Sequence, residues 1–324
     1  MLGTWELLSE SERQRLVGFV INRFRGDVSL LQPGLDWLEQ RCGVPVLGVI
    51  PYLERLHIEA EDSLNVGQSG PAEPGGDRHQ RIRVAVPMYP RASNHTDFDV
   101  LRLHPQIDCQ FVRELGDYQG ADLIILPGSK HVRADYDWLC RQGWDAAIQR
   151  HLRYRGKVLG ICGGYQMLGD WIHDPHGVES EPGSTAGLGL LSMSTTLAPD
   201  KTLRNVSGVW EGSKAVCTGY EIHAGLSEGP ALERPLFELG PGETGDRAGP
   251  SRREGSRSED DAVFGTYLHG VLDHPDSLQR ILQWVAGSSR VGAAEAFDYP
   301  AYREQQIERL ADAVEQVMPA EVLL

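Results

Sequence analysis

The 324-residue sequence has few cysteines, few basic residues and no long apolar segment. Its cysteines form no CxxC pair, which argues against a disulfide framework or a thiolate metal site, and we expect no metal. Lys and Arg number 31 against 46 Asp and Glu, for a net charge of −15, so nucleic acid is not an expected partner. No run of about 18 apolar residues occurs, so no membrane span is expected either.

The first residues lack a basic stretch followed by an apolar one, the mark of a secretory signal. We therefore expect a cytoplasmic location. A chain of this length predicts two domains, or one large domain with appendages.

Residues 1–65 have the pattern of strand, helix and strand. Residues 17–21 and 46–50 are short apolar runs rich in branched side chains, and leucines recur between them at helical spacing. This unit is too small to stand alone, so we interpret it as the tail of a larger parallel sheet. Residues 66–80 are rich in Gly, Pro and polar side chains and are predicted to be a linker.

The main predicted domain covers residues 81–288. Strand-like runs occupy residues 82–86, 122–126 and 157–161, with helical patterns between them, for example over 138–152. Alternating strands and helices predict an α/β fold with a mostly parallel sheet and helices on both faces. Ligands of such sheets bind beyond the carboxyl ends of the strands.

Two more segments are interpreted from composition and periodicity. Residues 240–260 are rich in Gly, Pro, Ser, Arg and Glu, and we expect a disordered surface insertion. Residues 289–324 form a predicted helical tail, with helical periodicity from 302 to 317. No chemistry is assigned to either segment.

Cys162 is the candidate nucleophile. It directly follows a predicted buried strand, and small residues flank it in Gly160-Ile161-Cys162-Gly163-Gly164. Such a sequence permits a sharp strand-to-helix turn that presents the central side chain. A helix N-terminus stabilises a thiolate there, and the Gly163 N–H would point to a developing oxyanion. The alternative is a buried packing cysteine, the interpretation we give the other four.

The pattern Gly160-x-Cys162-x-Gly164-x-Gln166 resembles the nucleophile motif of class I glutamine amidotransferases. The longer string, continuing through Met167 and Leu168 to Gly169, is similar to the cobyric acid synthase branch of that family. The resemblance implies a flavodoxin-like α/β fold and a role for Gln166 in holding the substrate glutamine. It also implies that the turn containing Gly128 and Ser129 supplies a second oxyanion N–H.

His269 is the candidate general base, since imidazole can both accept and donate a proton near neutral pH. It ends a strand-like run, as Cys162 does, and the string from Gly265 to Gly270 resembles the family's histidine motif. The alternative is a hydrogen-bonded structural histidine. Many class I members carry Glu two residues later, where this chain has Val271.

The residue that would orient His269 is therefore open. A Cys–His dyad is one possibility, and an orienter from elsewhere is the other. Glu221 and Asp273 are candidates, although a structural carboxylate is the simpler interpretation of each. Glu221 and His223 lie in Gly219-Tyr220-Glu221-Ile222-His223, which also resembles this branch, and we keep both as possible orienter or acceptor-site residues.

Further resemblance extends over most of the chain. Residues 17–27 and 44–64 look like the end of the family's ATP-using synthetase domain, and residues 90–99 look like the opening of its amidotransferase domain. Those last residues would face a corrinoid or the synthetase domain, or form a solvated loop. No Gly-x-x-x-x-Gly-Lys-Ser/Thr occurs. The resemblance thus implies no cofactor in this chain, with ATP and Mg²⁺ required by a P-loop half that lies in cis or in trans.

The predicted function is glutamine hydrolysis that supplies ammonia for amide synthesis. By resemblance, the complete enzyme amidates carboxylates of adenosylcobyrinic acid a,c-diamide, so glutamine and a corrinoid are the expected partners. One alternative is another acceptor, as in cobyrinic acid diamide synthases or cell-wall amidation. A second is a non-catalytic truncated remnant, and a third is a cysteine peptidase.

Overall fold

The computed structural model describes residues 1–58, 81–199, 202–240, 251–287 and 297–318. The chain divides into two compact units, Met1–Ile58 with Pro300–Leu324, and Glu59–Tyr299. The predicted linker at 66–80 lies outside the described residues. Within the described part, no helix is both long and apolar enough to cross a membrane.

The helices are, in chain order, α1 (Leu2–Leu7), α2 (Glu10–Arg13), α3 (Val28–Cys42), α4 (Asp99–Leu103), α5 (Val132–Arg141), α6 (Trp144–Arg153), α7 (Gly163–Met167), α8 (Pro275–Ala286) and α9 (Tyr299–Val317). Short 3-10 helices occupy His95–Phe98, Leu115–Asp117 and Pro230–Glu233.

The strands are β1 (Phe19–Phe24), β2 (Val46–Pro51), β3 (Ile82–Pro87), β4 (Ala92–Ser93), β5 (Ile107–Val112), β6 (Leu123–Leu126), β7 (Gly128–Ser129), β8 (Lys157–Ile161), β9 (Trp171–Asp174), β10 (Gly183–Ala186), β11 (Ser194–Thr196), β12 (Thr202–Trp210), β13 (Val216–His223), β14 (Leu226–Glu228), β15 (Phe237–Leu239), β16 (Arg252–Glu254), β17 (Ser256–Arg257), β18 (Val263–Thr266) and β19 (Leu268–His269).

The first unit contains the predicted strand–helix–strand pattern. Strands β1 and β2 pair in parallel, with α3 between them in sequence. Asp27 caps α3 by accepting a hydrogen bond from the Ser29 N–H at 2.8 Å, and Gly43 ends it at φ +68°. Helix α9 also groups with this unit, and its last residue, Val317, lies against Gly48. The predicted tail therefore contains a packed helix of the first unit.

The second unit is built on the predicted parallel sheet. Six strands of the described chain lie in the order β17-β18-β8-β6-β3-β5, all parallel except β17. Side chains alternate along each strand into two cores, since successive residues point to opposite faces. Leu123 and Ile125 of β6 pack with α4 and α8, whereas Ile124 and Leu126 pack with α5, α6 and α7. The predicted fold class, with helices on both faces, is confirmed.

Two differences concern regular structure within this unit. The helical pattern over 138–152 is divided between α5 and α6, because Gly143 adopts φ +84° between them. The predicted insertion at 240–260 is wrong for its second half, because β16 and β17 are strands with Glu254 and Ser256 buried. Residues 241–250 lie outside the described chain. Composition predicted disorder here because Gly and Ser flank these two strands. The strands are stabilised by pairing with β15 and β18, which composition does not reveal.

Two further sheets belong to this unit. The larger is antiparallel, with the order β16-β15-β12-β13-β19, and the smaller is mixed, with the order β10-β9-β11-β14 and a parallel pairing of β9 with β11. Neither sheet was predicted from the sequence. The larger sheet matters for the site, because it ends on β19 and therefore on His269.

Candidate active site

Cys162 occupies a strained turn at the carboxyl end of β8. Its backbone has φ +52° and ψ −109°, a conformation that costs a non-glycine residue on the order of 1–3 kcal/mol. Its N–H donates to the Thr266 carbonyl at 2.8 Å, and its thiol lies 3.4 Å from the Ile222 carbonyl oxygen. Gly160 and Gly164 permit the turn, because a Cβ on Gly160 would lie 2.7 Å from the Gly164 oxygen. The following helix, α7, is short, so the local N–H groups matter more than a macrodipole.

His269 is buried and held by a carboxylate that the sequence analysis did not select. The Nδ1–H of His269 donates to Oδ2 of Asp97 at 2.7 Å, and Oδ1 of Asp97 accepts from the Gly270 N–H at 2.9 Å. Both side chains are almost fully buried, at 1% and 3% exposure. The protein interior strengthens such a charge-assisted bond and fixes the ring and its tautomer.

The second ring nitrogen of His269, Nε2, is not used in a structural hydrogen bond within the described residues. Nε2 is buried and has no hydrogen-bond partner of ordinary geometry within the described chain. Burial lowers the pKa of His269, but the bond to Asp97 and the interaction with the Cys162 thiol outweigh burial and raise that pKa to about 10. The structure therefore brings Cys162, His269 and Asp97 together as a nucleophile, a base and an orienting acid would be arranged.

Glu221 and Asp273, the predicted orienters, are not the partners of Nδ1. On β13, Tyr220 lies opposite His269 and stacks on its ring at 5.2 Å, so the adjacent Glu221 points to the other face of the sheet. The Glu221 carboxylate is instead 2.6 Å from the guanidinium groups of both Arg204 and Arg252. Burial raises its pKa, and the two arginines reverse that effect and lower it.

The turn after β6 lies beside both Cys162 and His269. Strand β7 pairs with β4, with Gly128 opposite Ser93 and Lys130 N–H donating to the Arg91 carbonyl at 3.0 Å. Because antiparallel residues alternate in their hydrogen bonding, the Gly128 N–H belongs to the ladder and the Ser129 N–H points away from it.

Close glycine contacts place that turn against Cys162 and His269. A Cβ on Gly163 would lie 2.8 Å from the Ser129 nitrogen, so the two backbones adjoin next to Cys162. A Cβ on Gly128 would lie 3.2 Å from Cε1 of His269. The Ser129 and Gly163 backbones therefore lie next to each other beside Cys162, and the lack of a side chain at Gly128 lets the imidazole of His269 approach the turn.

Gln166 lies in a buried polar cluster. Its Nε2 donates to the Tyr267 hydroxyl at 3.4 Å, and Ser227 links that hydroxyl, at 2.6 Å, to Thr195 at 2.7 Å. His223 stacks on the Tyr267 ring with centroids 3.9 Å apart, and its Nδ1–H donates to the Gly225 carbonyl at 3.0 Å. These neutral donors and acceptors can hold a small polar substrate. Gln166 and His223 therefore both contact Tyr267, while Glu221 is ion-paired with two arginines.

Sequence reasoning missed Asp97, Tyr220 and Tyr267 as site residues. Asp97 is 172 residues from His269, and no periodicity connects the two. Two features of the sequence could have pointed to Asp97. It lies in the polar segment 90–99, and position 271, where many class I members carry Glu, is Val, so the carboxylate that orients His269 had to come from another segment. Tyr220 and Tyr267 occur inside the two strings that resemble family motifs. The strings therefore pointed to these positions but did not indicate that the two tyrosines pack against His269 and His223.

Two protein families match parts of the chain. Residues 83–277 match the CobB/CobQ-like glutamine amidotransferase domain. The chain belongs to this amidotransferase family. Residues 2–66 match a second family, the CobQ/CobB/MinD/ParA nucleotide binding domain.

Solved glutamine amidotransferases are among the structures similar to this CobB/CobQ-like chain. PurLQS from Thermotoga maritima is 16% identical, covers 71% of this chain and 99% of its own, and has a TM-score of 0.42. A crystal structure of a glutamine amidotransferase is 16% identical, covers 63% and 98%, and scores 0.44. The glutaminase domain of Trypanosoma brucei CTPS, with bound acivicin, is 14% identical, covers 63% and 93%, and scores 0.36.

The amidotransferase domain holds no cluster of three or more potential metal-ligating side chains within its described residues.

Proposed function

We propose that this chain hydrolyses glutamine through a thioester on Cys162 and delivers the ammonia to an ATP-dependent amidation. The observation that carries the proposal is the 2.7 Å hydrogen bond between Nδ1 of His269 and Asp97. It leaves Nε2 as the ring atom that takes the proton of the nearby Cys162 thiol, and the raised pKa of His269 lets the ring hold that proton until ammonia departs.

The first half-reaction forms the thioester. His269 accepts the Cys162 proton, and the sulfur attacks the carbonyl carbon of the glutamine side-chain amide. The N–H groups of Gly163 and Ser129 stabilise the oxyanion, and each such donor typically contributes about 10²–10³ in rate. As the C–N bond breaks, the imidazolium returns its proton to the departing ammonia.

The second half-reaction releases glutamate. His269 deprotonates a water molecule, which attacks the thioester carbon, and the proton returns to the sulfur when the C–S bond breaks. Glutamine and water become glutamate and ammonia, with no redox change. The amino acid end of the substrate would be held by the polar cluster near Cys162, which consists of Gln166, the Tyr267 hydroxyl and His223.

The acceptor follows from resemblance to the cobyric acid synthase branch. We propose that a P-loop nucleotide-binding half, in the same or another polypeptide, uses ATP and Mg²⁺ to activate carboxylates of adenosylcobyrinic acid a,c-diamide. Ammonia from Cys162 would amidate them. The match of residues 2–66 to a nucleotide binding domain supports a partner of that type.

Glutaminase assays of the purified chain test the hydrolysis. We expect wild type to release glutamate and Cys162→Ala to release none above buffer. Cys140→Ala is the matched control, because this thiol lies on α5 outside the reacting group and should leave activity within about twofold.

The outcomes separate the competing functions. Background rates for both wild type and Cys162→Ala would favour a non-catalytic remnant, and peptide cleavage without glutamine turnover would favour a peptidase. Mass spectrometry of a trapped thioester would identify the modified residue. Amidation assays with a P-loop half, ATP, Mg²⁺ and different acceptors would then decide between cobyrinic acid a,c-diamide and cell-wall substrates.

A further inference from the structure

A buried carboxylate joins both strands of the oxyanion turn. Oδ2 of Asp135 accepts from the Ser129 hydroxyl at 2.6 Å, and Oδ1 lies 3.2 Å from the Arg91 N–H, which donates to it. The same hydroxyl accepts from the His131 N–H at 2.9 Å. Arg91 immediately precedes β4 and Ser129 ends β7, so one carboxylate binds the two halves of the ribbon at the same level.

Asp135 is anchored to a rigid element. It lies in the first turn of α5 with no solvent exposure, and its helix neighbours Tyr136 and Leu139 pack in the core. Burying a carboxylate is unfavourable unless its oxygens are hydrogen-bonded. Burial raises the pKa of Asp135 despite the bonds from Ser129 and Arg91. A charged group retained at that cost calls for an explanation beyond filling space.

The Ser129 side chain and its N–H belong to one residue, so fixing the hydroxyl restricts rotation of the peptide that precedes it. That peptide carries the N–H adjoining Gly163 next to Cys162. A flipped peptide would direct a carbonyl oxygen, rather than an N–H, at the developing oxyanion and would destabilise the tetrahedral intermediate.

We propose that Asp135 is a positioning residue that holds the Ser129 N–H toward the oxyanion during attack by Cys162. The inference rests on the proposed glutamine hydrolysis. It predicts that Asp135 affects the steps that create an oxyanion and leaves the nucleophilicity of the sulfur unchanged.

The test compares two reactions of the same sulfur in the full chain. Glutamine hydrolysis passes through an oxyanion, whereas alkylation of Cys162 by iodoacetamide does not. For Asp135→Ala we expect kcat to fall about 10–10²-fold with KM changed less than about threefold, since one misdirected donor is involved. The alkylation rate, followed by mass spectrometry of the peptide that contains Cys162, should stay within about twofold.

Two further variants guard against a folding defect. Ser129→Ala removes the same hydrogen bond from the other side and should reproduce the kcat loss, and the double variant should be no slower than either single one. Asp135→Asn should restore part of kcat, because its amide can still bond to Arg91 and Ser129. The exposed Asp137, on the same helix, is the control, and Asp137→Ala should behave as wild type.

Either of two results would overturn the inference. One is normal glutamine turnover by both Asp135→Ala and Ser129→Ala. The other is an alkylation rate that falls as far as kcat in both variants, which would indicate a general structural role. A wild-type chain that released no glutamate would overturn the proposed function as well, so the two failures are distinguishable.

Discussion

Replacing Asp97 by Asn tests the tautomer on which the proposed catalysis depends. The Gly270 N–H must keep an acceptor, and it lies 2.9 Å from Oδ1 of Asp97. An asparagine would therefore place its oxygen toward Gly270 and its NH₂ group toward Nδ1 of His269. Since that NH₂ is a donor, the imidazole would have to accept at Nδ1 and carry its proton on Nε2, where it cannot deprotonate Cys162.

The expected loss is large because no other group can restore the base. In a serine protease, the corresponding Asp→Asn change lowers kcat by about 10⁴-fold through the wrong tautomer. His269 is fully buried, so we expect kcat for glutamine hydrolysis to fall by about 10²–10⁴-fold, with a much smaller change in KM. Iodoacetamide alkylation of Cys162 should slow as well, in contrast to the Asp135 variants.

A matched control and a fold check complete the experiment. Asp99→Asn, two residues along and ion-paired with Arg102 at 3.0 Å, should keep kcat within about twofold. Urea denaturation should show Asp97→Asn still folded, because the amide is isosteric and remains hydrogen-bonded. If Asp97→Asn kept more than about a tenth of wild-type kcat, the assignment of Asp97 as the orienting acid would be wrong.

Two other predictions follow from buried contacts. Gly128→Ala should lower kcat at least about 10-fold in the same glutaminase assay, because the added Cβ would lie 2.9 Å from the Ser93 hydroxyl and 3.2 Å from Cε1 of His269, so that these neighbours must shift. Burial raises the pKa of Glu254 from 4.5 to about 7, so its contribution to stability is full below pH 4.5 and is lost as pH rises through about 7. Glu254→Gln should remove this dependence. Between pH 5 and pH 8, urea denaturation should show the free energy of unfolding of wild type falling by about 1–3 kcal/mol more than that of the variant. Equal decreases would show that Glu254 is not the source of the pH dependence.

The sequence predicted those parts of the site whose structure depends on neighbouring residues alone. Cys162 follows a buried strand and needs glycines around a positive φ, so its position was readable from a few residues. Strand β6 is a continuous apolar run, and β3 and β8 are apolar apart from one charged residue near the start of each, as expected where both faces of a parallel sheet are covered. His269 was readable only through its motif.

The parts that depend on distant partners were not predictable from composition. Strand β16 reads Arg-Arg-Glu, which suggests a solvated loop, yet Arg252 pairs with Glu221 and Glu254 accepts from the Thr266 hydroxyl at 2.7 Å. Asp97 presents the same difficulty, since a lone acidic residue in a polar segment carries no sign that a histidine far along the chain will meet it.

The arrangement of the site also explains why its parts come from segments so far apart. Cys162 is tied to the strand that leads to His269, because its N–H donates to the Thr266 carbonyl. The oxyanion turn and the orienting acid are likewise tied to one segment, since Ser93 pairs with Gly128 and Asp97 follows four residues later. These two connections thus fix the positions of Cys162, His269, the Ser129 turn and Asp97 relative to one another. A displacement of residues 92–97 would therefore disturb the proposed oxyanion donor and the proposed base together.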